Sequence, residues 1–517
     1  MPASVHCPKC DYNQQGDSPS FHGPDLAASR FDELLKSNSP PLQAEHVDLE
    51  GVIREGHIFL SGLKGRITQT RAVLEELLDE ERRVESLVES CKKIIRPIRG
   101  IPEDIVRQIF LTCLDTDERD IKDSLDGKSP PLVLSKVCRH WRSVAVSTPQ
   151  LWSPLSLDFD RYRNAKACLH LLQIYLLRSG TQDITLFLHS TKALSNNHVV
   201  TVLLSSAPRW VDIHISIPFL SLHEFSAVRG TLYRLNRLRV EFTDDPPASP
   251  GPQVKPKFDA FEYAPLLRSF SHDTVFNAIH KLNIPWSQLI DYTGMDWTSS
   301  YIEMFKLTPN MESVSLHCED DSVLDRPLPP SFFHHGLRRL RVHEEAGVNV
   351  LSEGGIVLLL SHIECPALES LSMAYQHPHI RIPSSPRVRN LRTLSINAPC
   401  TIPAEALTDL LSLLRTTPSL THLSMSMSMS PEENVLLLGL NNNINPGVVP
   451  GLRSLTFRVL SKRPVLSSVF VDLVESRRTW WETLRLSVPF VMPPPPDALV
   501  DRWAELCDGG FVLYGME

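Results

Sequence analysis

Two kinds of side chain in this 517-residue sequence could do chemistry. The first is a pair of thiols. Cys7-Pro8-Lys9-Cys10 has the knuckle spacing of a zinc site, and His6 and His22 are the only nearby groups that could complete it. One C-x-x-C supplies only half of a tetrahedral ligand set, so two reduced thiols on a polar tail is the competing reading. The second kind is a series of guanidinium and imidazole groups: Arg237, Arg239, His317, Arg339, Arg341, His343, Arg458 and Arg485. Each falls on or beside the polar positions of a short apolar phrase. A guanidinium grips carboxylate or phosphate with two parallel hydrogen bonds, so the set reads as a face for an acidic or phosphorylated segment of a protein target. An ordinary solvated face fits the same residues.

The elements that must carry these groups are strands. The pattern apolar-x-x-apolar-x-apolar returns as WVDIHI (210–215), LNRLRV (235–240), MESVSL (311–316), LRRLRV (337–342), LESLSM (368–373), LRTLSI (391–396), LTHLSM (420–425), LRSLTF (452–457) and WETLRL (481–486). DITLFLH (183–189) reads as a first strand, and LLRSF (266–270) and WSQLI (286–290) are poorer copies. Alternation along a strand exposes every second residue. The remaining exposed positions are then mostly hydroxyls and imidazoles, among them His214, Ser315, Ser372, Ser395, His422, Ser424 and Thr456, with few carboxylates beyond Asp212. A wandering period with helical stretches between phrases, such as LTDLLSLLRTTPS, predicts an irregular leucine-rich-repeat-like, curved α/β solenoid over 154–517. A run of unrelated amphipathic strands is the alternative. SMSMSMS (424–430) would put methionine on one face as adaptable packing. DDPPASPGPQVKPK (244–257) and MPPPP (492–496) lie outside any core.

Ahead of the strands, residues 1–50 read as a flexible tail and 51–97 as a long helix. From Val52 to Ile95 apolar residues recur at heptad spacing. Leu60, Ile67, Leu74, Glu81, Val88 and Ile95 fall at position a, and Leu63, Thr70, Leu77, Val84 and Cys91 at d. Such a seam predicts a coiled coil used for self-association or as a spacer. One helix folded back on its own chain is the other possibility.

Residues 98–153 then read as three short helices. Pro102 suits a first helical position and Glu103 and Asp104 the positive end of the dipole. Ile101, Ile105, Ile109 and Cys113 form one stripe with Phe110 beside it. After a charged loop, Leu134, Val137, Trp141, Val144 and Ala145 form another, closed by Leu151 and Trp152. About fifty residues bury too little to stand alone.

IPEDIVRQIF … PLVLSKVCRHWRSVAVSTPQLW resembles an F-box of the type abundant in mushroom-forming fungi. The match runs through Pro102, Ile105, Ile109, Phe110, Val137, Cys138, Arg139, Trp141, Arg142, Val144, Ala145, Pro149, Leu151 and Trp152, with mild departures at Ile101, Asp104 and Val106. LLKSNSPP near Leu34, PWSQLIDY and RSGTQDITLFL resemble phrases of the same family. The resemblance implies docking on a Skp-type adaptor of a cullin–RING ubiquitin ligase. The contact would be offered by Ile101, Pro102, Ile105, Ile109, Phe110, Leu132, Leu134, Val137, Trp141, Leu151 and Trp152. It implies an adaptor with no catalytic residues, cofactor or metal of its own. An F-box scaffold acting outside a ligase is the runner-up.

No nucleophile elbow, zinc-protease, P-loop or dinucleotide motif occurs. The net charge of −8 argues against a general nucleic-acid binder. Apolar runs are too short to span a bilayer, and ten cysteines stand without a disulfide framework. The expectation is a protein of the reducing cytoplasm or nucleus that binds neither nucleic acid nor membrane.

Overall fold

The computed structural model describes residues 6–7, 12–13, 21, 28–114, 123–244, 257–319, 331–344, 354–376, 380–382, 388–398, 402–427, 431–460, 467–477, 483–488, 496–508 and 512–515. The chain divides into two compact units, Met1–Ile105 and Val106–Glu517.

In the first unit, β1 (His6–Cys7) and β2 (Tyr12–Asn13) pair antiparallel. Helix α1 (Ala28–Lys36) follows, then a single 52-residue helix, α2 (Gln43–Ile94). Helix α2 takes in the last eight residues of the expected tail and runs through Gly51, Gly56, Gly62 and Gly65. At its start the Leu42 amide donates to the Glu45 carboxylate at 2.8 Å, and its last turn carries Lys92 and Lys93, which suit the negative end of the dipole. Pairs such as Arg83–Glu80 (2.6 Å) and Lys92–Glu89 (2.8 Å) each add a few tenths of a kcal/mol. None of its described residues is buried.

The second unit carries α3 (Glu103–Thr112, whose first residues close the first unit), α4 (Pro130–Val137) and α5 (Arg139–Val146). Its bulk is one 14-stranded sheet. The strands are β3 (Pro154–Asp158), β4 (Ile184–His189), β5 (Trp210–Ile217), β6 (Arg237–Phe242), β7 (Ser269–His272), β8 (Asp291–Trp297) and β9 (Ser313–Glu319). A side pair is made by β10 (Phe332–Phe333) with β12 (Ile363–Glu364), between which lies β11 (Arg339–Glu344). The sheet continues through β13 (Ser370–Tyr375), β14 (Thr393–Asn397), β15 (His422–Met427), β16 (Ser454–Val459), β17 (Thr483–Val488) and β18 (Val512–Gly515). All are parallel and ordered as in the chain.

The nine phrases all lie on strands, β5, β6, β9, β11 and β13–β17. DITLFLH is β4, but the first strand of the 14-stranded sheet is β3, ahead of it in the chain. Alternation holds: β9, for example, buries Val314, Leu316 and Cys318 and leaves the residues between them half-buried. Register lines the buried residues into rows. One runs Leu186, Ile213, Leu238, Phe270, Tyr292, Val314, Leu340, Leu371, Leu394, Leu423, Leu455. Each such apolar side chain contributes about 1.5–3 kcal/mol of burial.

The expected leucine-rich-repeat-like solenoid is corrected. The described chain is an α/β fold built on a continuous parallel sheet, with no unit copied from one connection to the next. Strand starts are 22 residues apart from Asp291 to Ser313 and 32 from Arg237 to Ser269. The connections include helices of 14 (Ala165–Arg178), 4 (Ala278–Lys281) and 12 residues (Ala404–Arg415), and a 3-10 stretch alone (Phe219–Val228). The phrase reports only a parallel strand with one buried face. The repeat would have to be carried by the connections, and they vary.

The charged loop before α4 is also partly structural. Asp123, Ser124 and Leu125 are buried, and Ser124 pairs with the outer edge of β3: its amide donates to the Ser156 carbonyl (2.8 Å) and its Oγ accepts from the Ser156 amide (2.9 Å). An edge strand that would otherwise be open is thereby covered. Residues 115–122, 245–256 and 489–495, which hold the rest of that loop and most of the proline-rich stretches, lie outside the described residues, as do Cys10 and His22 of the possible zinc set.

Candidate functional site

The helical segment has its own filled core. Phe110 of α3 meets Trp141 of α5 edge-on with centroids 5.0 Å apart. Arg107 donates to Thr148 Oγ1, and Arg142 to the Ser135 carbonyl. Cys138 caps α5, its sulfur accepting from the Trp141 amide. Trp152 is fully buried: its indole donates to the Ala145 carbonyl (2.8 Å), its ring packs on Tyr175, and the Arg178 guanidinium lies 4.4 Å from its centroid. Tyr175, whose hydroxyl pairs with Ser129 Oγ at 2.9 Å, thus joins the segment to the helix that follows β3.

This packing sorts the expected contact residues. Phe110, Leu134, Leu151 and Trp152 are buried in the chain's own core and present nothing to a partner; for these four the expectation is corrected. Ile101, Leu132 and Trp141 are half-buried. Pro102 is exposed, and so are Ile105, Ile109 and Val137, the last at 56%. Val133, which the sequence reading did not single out, is exposed at 45%. Both α3 and α4 thus carry exposed β-branched residues.

The second surface is the polar face of the sheet. On β5 and β6 its cations are already matched. Arg237 Nε lies 3.0 Å from Asp212, and Glu241 takes both Arg239 (2.7 Å) and His214 (3.0 Å). The His214 ring beside it, with Arg239, holds the Glu241 carboxyl below the usual carboxylate range, against the opposing pull of burial.

Four strands on, the balance changes. Arg339 and Arg341 are exposed on β11. Arg339 reaches only Ser313 Oγ at 3.4 Å, and Arg341 has no ion-pair or hydrogen-bond partner among the described residues. Register places Arg341 between Ser315 and Ser372, and His317 beside His343, whose rings stack at 4.6 Å and 6°. Two guanidiniums, two imidazoles and flanking hydroxyls therefore share one part of the face. Arg458 is separate, donating to Asn397 Oδ1. Arg485 pairs in register with Thr456; its side chain lies outside the described residues.

One cluster was not legible beforehand. Asp158, Asp160 and His189 bring their ligand atoms within 4.8 Å of one another. They meet because Asp158 and His189 are register partners on β3 and β4. Protein groups hold most of it: Arg161 on Asp158 (2.7 Å), the Thr191 amide on Asp160 (2.9 Å) and Ser216 on His189 (3.2 Å).

Among the described residues no helix is long and apolar enough to cross a membrane. No protein-family model matches the chain, and no curated protein matches it.

Proposed function

We propose that the chain is the substrate-recruiting subunit of an SCF-type cullin–RING ubiquitin ligase. Its 98–153 segment docks a Skp-type adaptor. The part of the sheet face around Arg339 and Arg341 holds a protein target through an acidic or phosphorylated segment. The bond-making step belongs to a partner enzyme; this chain raises the local concentration of target. The observation that carries the reading is the segment's division into a filled core, Phe110 and Trp152 among it, and exposed Ile109 and Val137 on its surface. Apolar side chains that a fold leaves out in this way are what a protein partner covers.

The test is affinity purification of the full chain with identification of bound proteins. The intact chain should bring down the adaptor and a cullin. Ile109→Asp with Val137→Asp should lose both while keeping target proteins, because neither side chain supports the core. Recovery of the adaptor without a cullin would replace the ligase with a scaffold role. Retention of both by the double variant would remove the docking assignment.

A further inference from the structure

We propose that α2 pairs with α2 of a second copy of this chain, and that the two helices run antiparallel, with Thr70 of one copy against Glu81 of the other. The heptad positions of α2 stay exposed in the described chain; Leu74 is 54% and Leu77 60% accessible. Phe21 rests on Phe59, one residue before Leu60, with ring centroids 5.7 Å apart.

The charge pattern selects the partner and its direction. In a parallel, in-register pair each a residue faces its own copy, and g residues face the following e. That would set Glu81 against Glu81 in the seam, Arg66 opposite Arg71 and Glu80 opposite Glu85 along its sides. All three pairings are repulsive. In an antiparallel pair each a residue faces a d. With Thr70 against Glu81, the two polar seam positions share one layer, and the Thr70 hydroxyl, which donates to the Arg66 carbonyl in the single chain, can turn to the carboxylate. Leu74 then meets Leu77, Ile67 meets Val84, Leu63 meets Val88, and Leu60 meets Cys91. Lys64 of one copy comes alongside Glu85 of the other. Arg71 comes alongside Leu78, Arg66 alongside Leu87 and Glu80 alongside Val73, so no like-charged pair flanks the seam. A helix complementary to itself only when reversed points to a second copy of the same chain.

Cys91, exposed at position d, reports the direction. In the antiparallel pair the two Cys91 sulfurs are separated by about 46 Å, from the rise per residue of a helix, and each faces Leu60 of the other copy. The full chain should elute as a dimer in light scattering at micromolar concentration. After mild oxidation, peptide mapping of the Leu60→Cys variant should show its new sulfur bridged to Cys91 of the other copy. The wild type should show no Cys91–Cys91 bridge. Lys64→Glu and Glu85→Lys should each weaken dimerisation by roughly tenfold, and the two together should restore it. Leu74→Asp with Leu77→Asp should give monomer and lower helicity in α2, with the unfolding of the 14-stranded sheet unchanged. A monomeric wild type, a Cys91–Cys91 bridge, or a double charge variant no better than its parents would overturn the proposal.

Discussion

His272 and Tyr292 face each other on neighbouring strands of the sheet's buried side, Nε2 and hydroxyl 2.7 Å apart. The His272 Nδ1–H donates to the Thr274 carbonyl, so Nε2 carries the lone pair and Tyr292 is the donor. Gly294 makes room for them: a Cβ there would fall on the Tyr292 hydroxyl and within 2.6 Å of His272 Nε2.

This neutral imidazole gives the protein an acid sensitivity. Burial pulls His272 from its ordinary 6.5 to about 4. Between those values the folded chain binds fewer protons than the unfolded one. The contribution is complete above about pH 6.5 and is lost as the pH falls through the window towards 4. The whole shift corresponds to roughly 3 kcal/mol, of which about 2 kcal/mol is gone by pH 5. Urea unfolding at pH 7 and pH 5 measures it. His272→Gln should be less stable at pH 7 but should lose about 2 kcal/mol less on acidification. Equal pH dependence in the two proteins would refute the assignment. His334, also buried and shifted down by desolvation, adds to the slope in both and cancels in the comparison.

A second stability prediction concerns a buried cation. Arg477 is 2% exposed, and its guanidinium donates to the carbonyls of Leu440 (2.7 Å), Val448 (2.8 Å) and Val449 (3.1 Å). Desolvation lowers its pKa to about 10. The carbonyls fix the chain where Val449 takes φ of 38°, a conformation costly for a β-branched residue. Arg477→Met keeps the apolar stem and removes all three donors. It should cost about 3 kcal/mol or more, the desolvation penalty of carbonyls left unpaired, read as a lower denaturation midpoint. Arg477→Lys should recover only part of that, because an ammonium lacks the planar fork.

Much of this was legible in the sequence, and the limit has a physical origin. Alternation along a strand is set by one buried face, so phrases such as LRRLRV marked β11 and its exposed arginines correctly. The phrase of β3 is WSPLSL (152–157); its leading apolar residue, Trp152, also closes the stripe of the helical segment, and that double role hides the strand. What joins strands is chosen by packing against neighbours, so the irregular connections were invisible and a repeat architecture was inferred in error. Phe110 and Ile109 are adjacent in one apolar run. Only the partner surface, here Trp141, decides that Phe110 goes in and Ile109 stays out. Asp212 neutralises Arg237, and Asp158 reaches His189, through register between strands 25 or more residues apart in sequence. No local pattern encodes that.

The same register separates the arginines into two groups, and the last prediction rests on it. Arg237 and Arg239 have carboxylates of the chain itself in contact, so an anionic target would have to displace Asp212 or Glu241 to reach them. Among the described residues Arg341 stands between two serines without a carboxylate partner, and Arg339 meets a hydroxyl alone. A target anion therefore gains a charge-assisted, two-point contact on β11 at little desolvation cost. Arg341→Glu should reduce target capture by at least tenfold, since it replaces an attraction with a repulsion at the contact. Arg237→Gln should change it less than about twofold and leave the adaptor bound. Quantitative pull-down of the full chain with each variant compares them directly. Equal losses from the two variants would mean that the whole face acts as a diffuse field, and no loss from Arg341→Glu would move the target off this face.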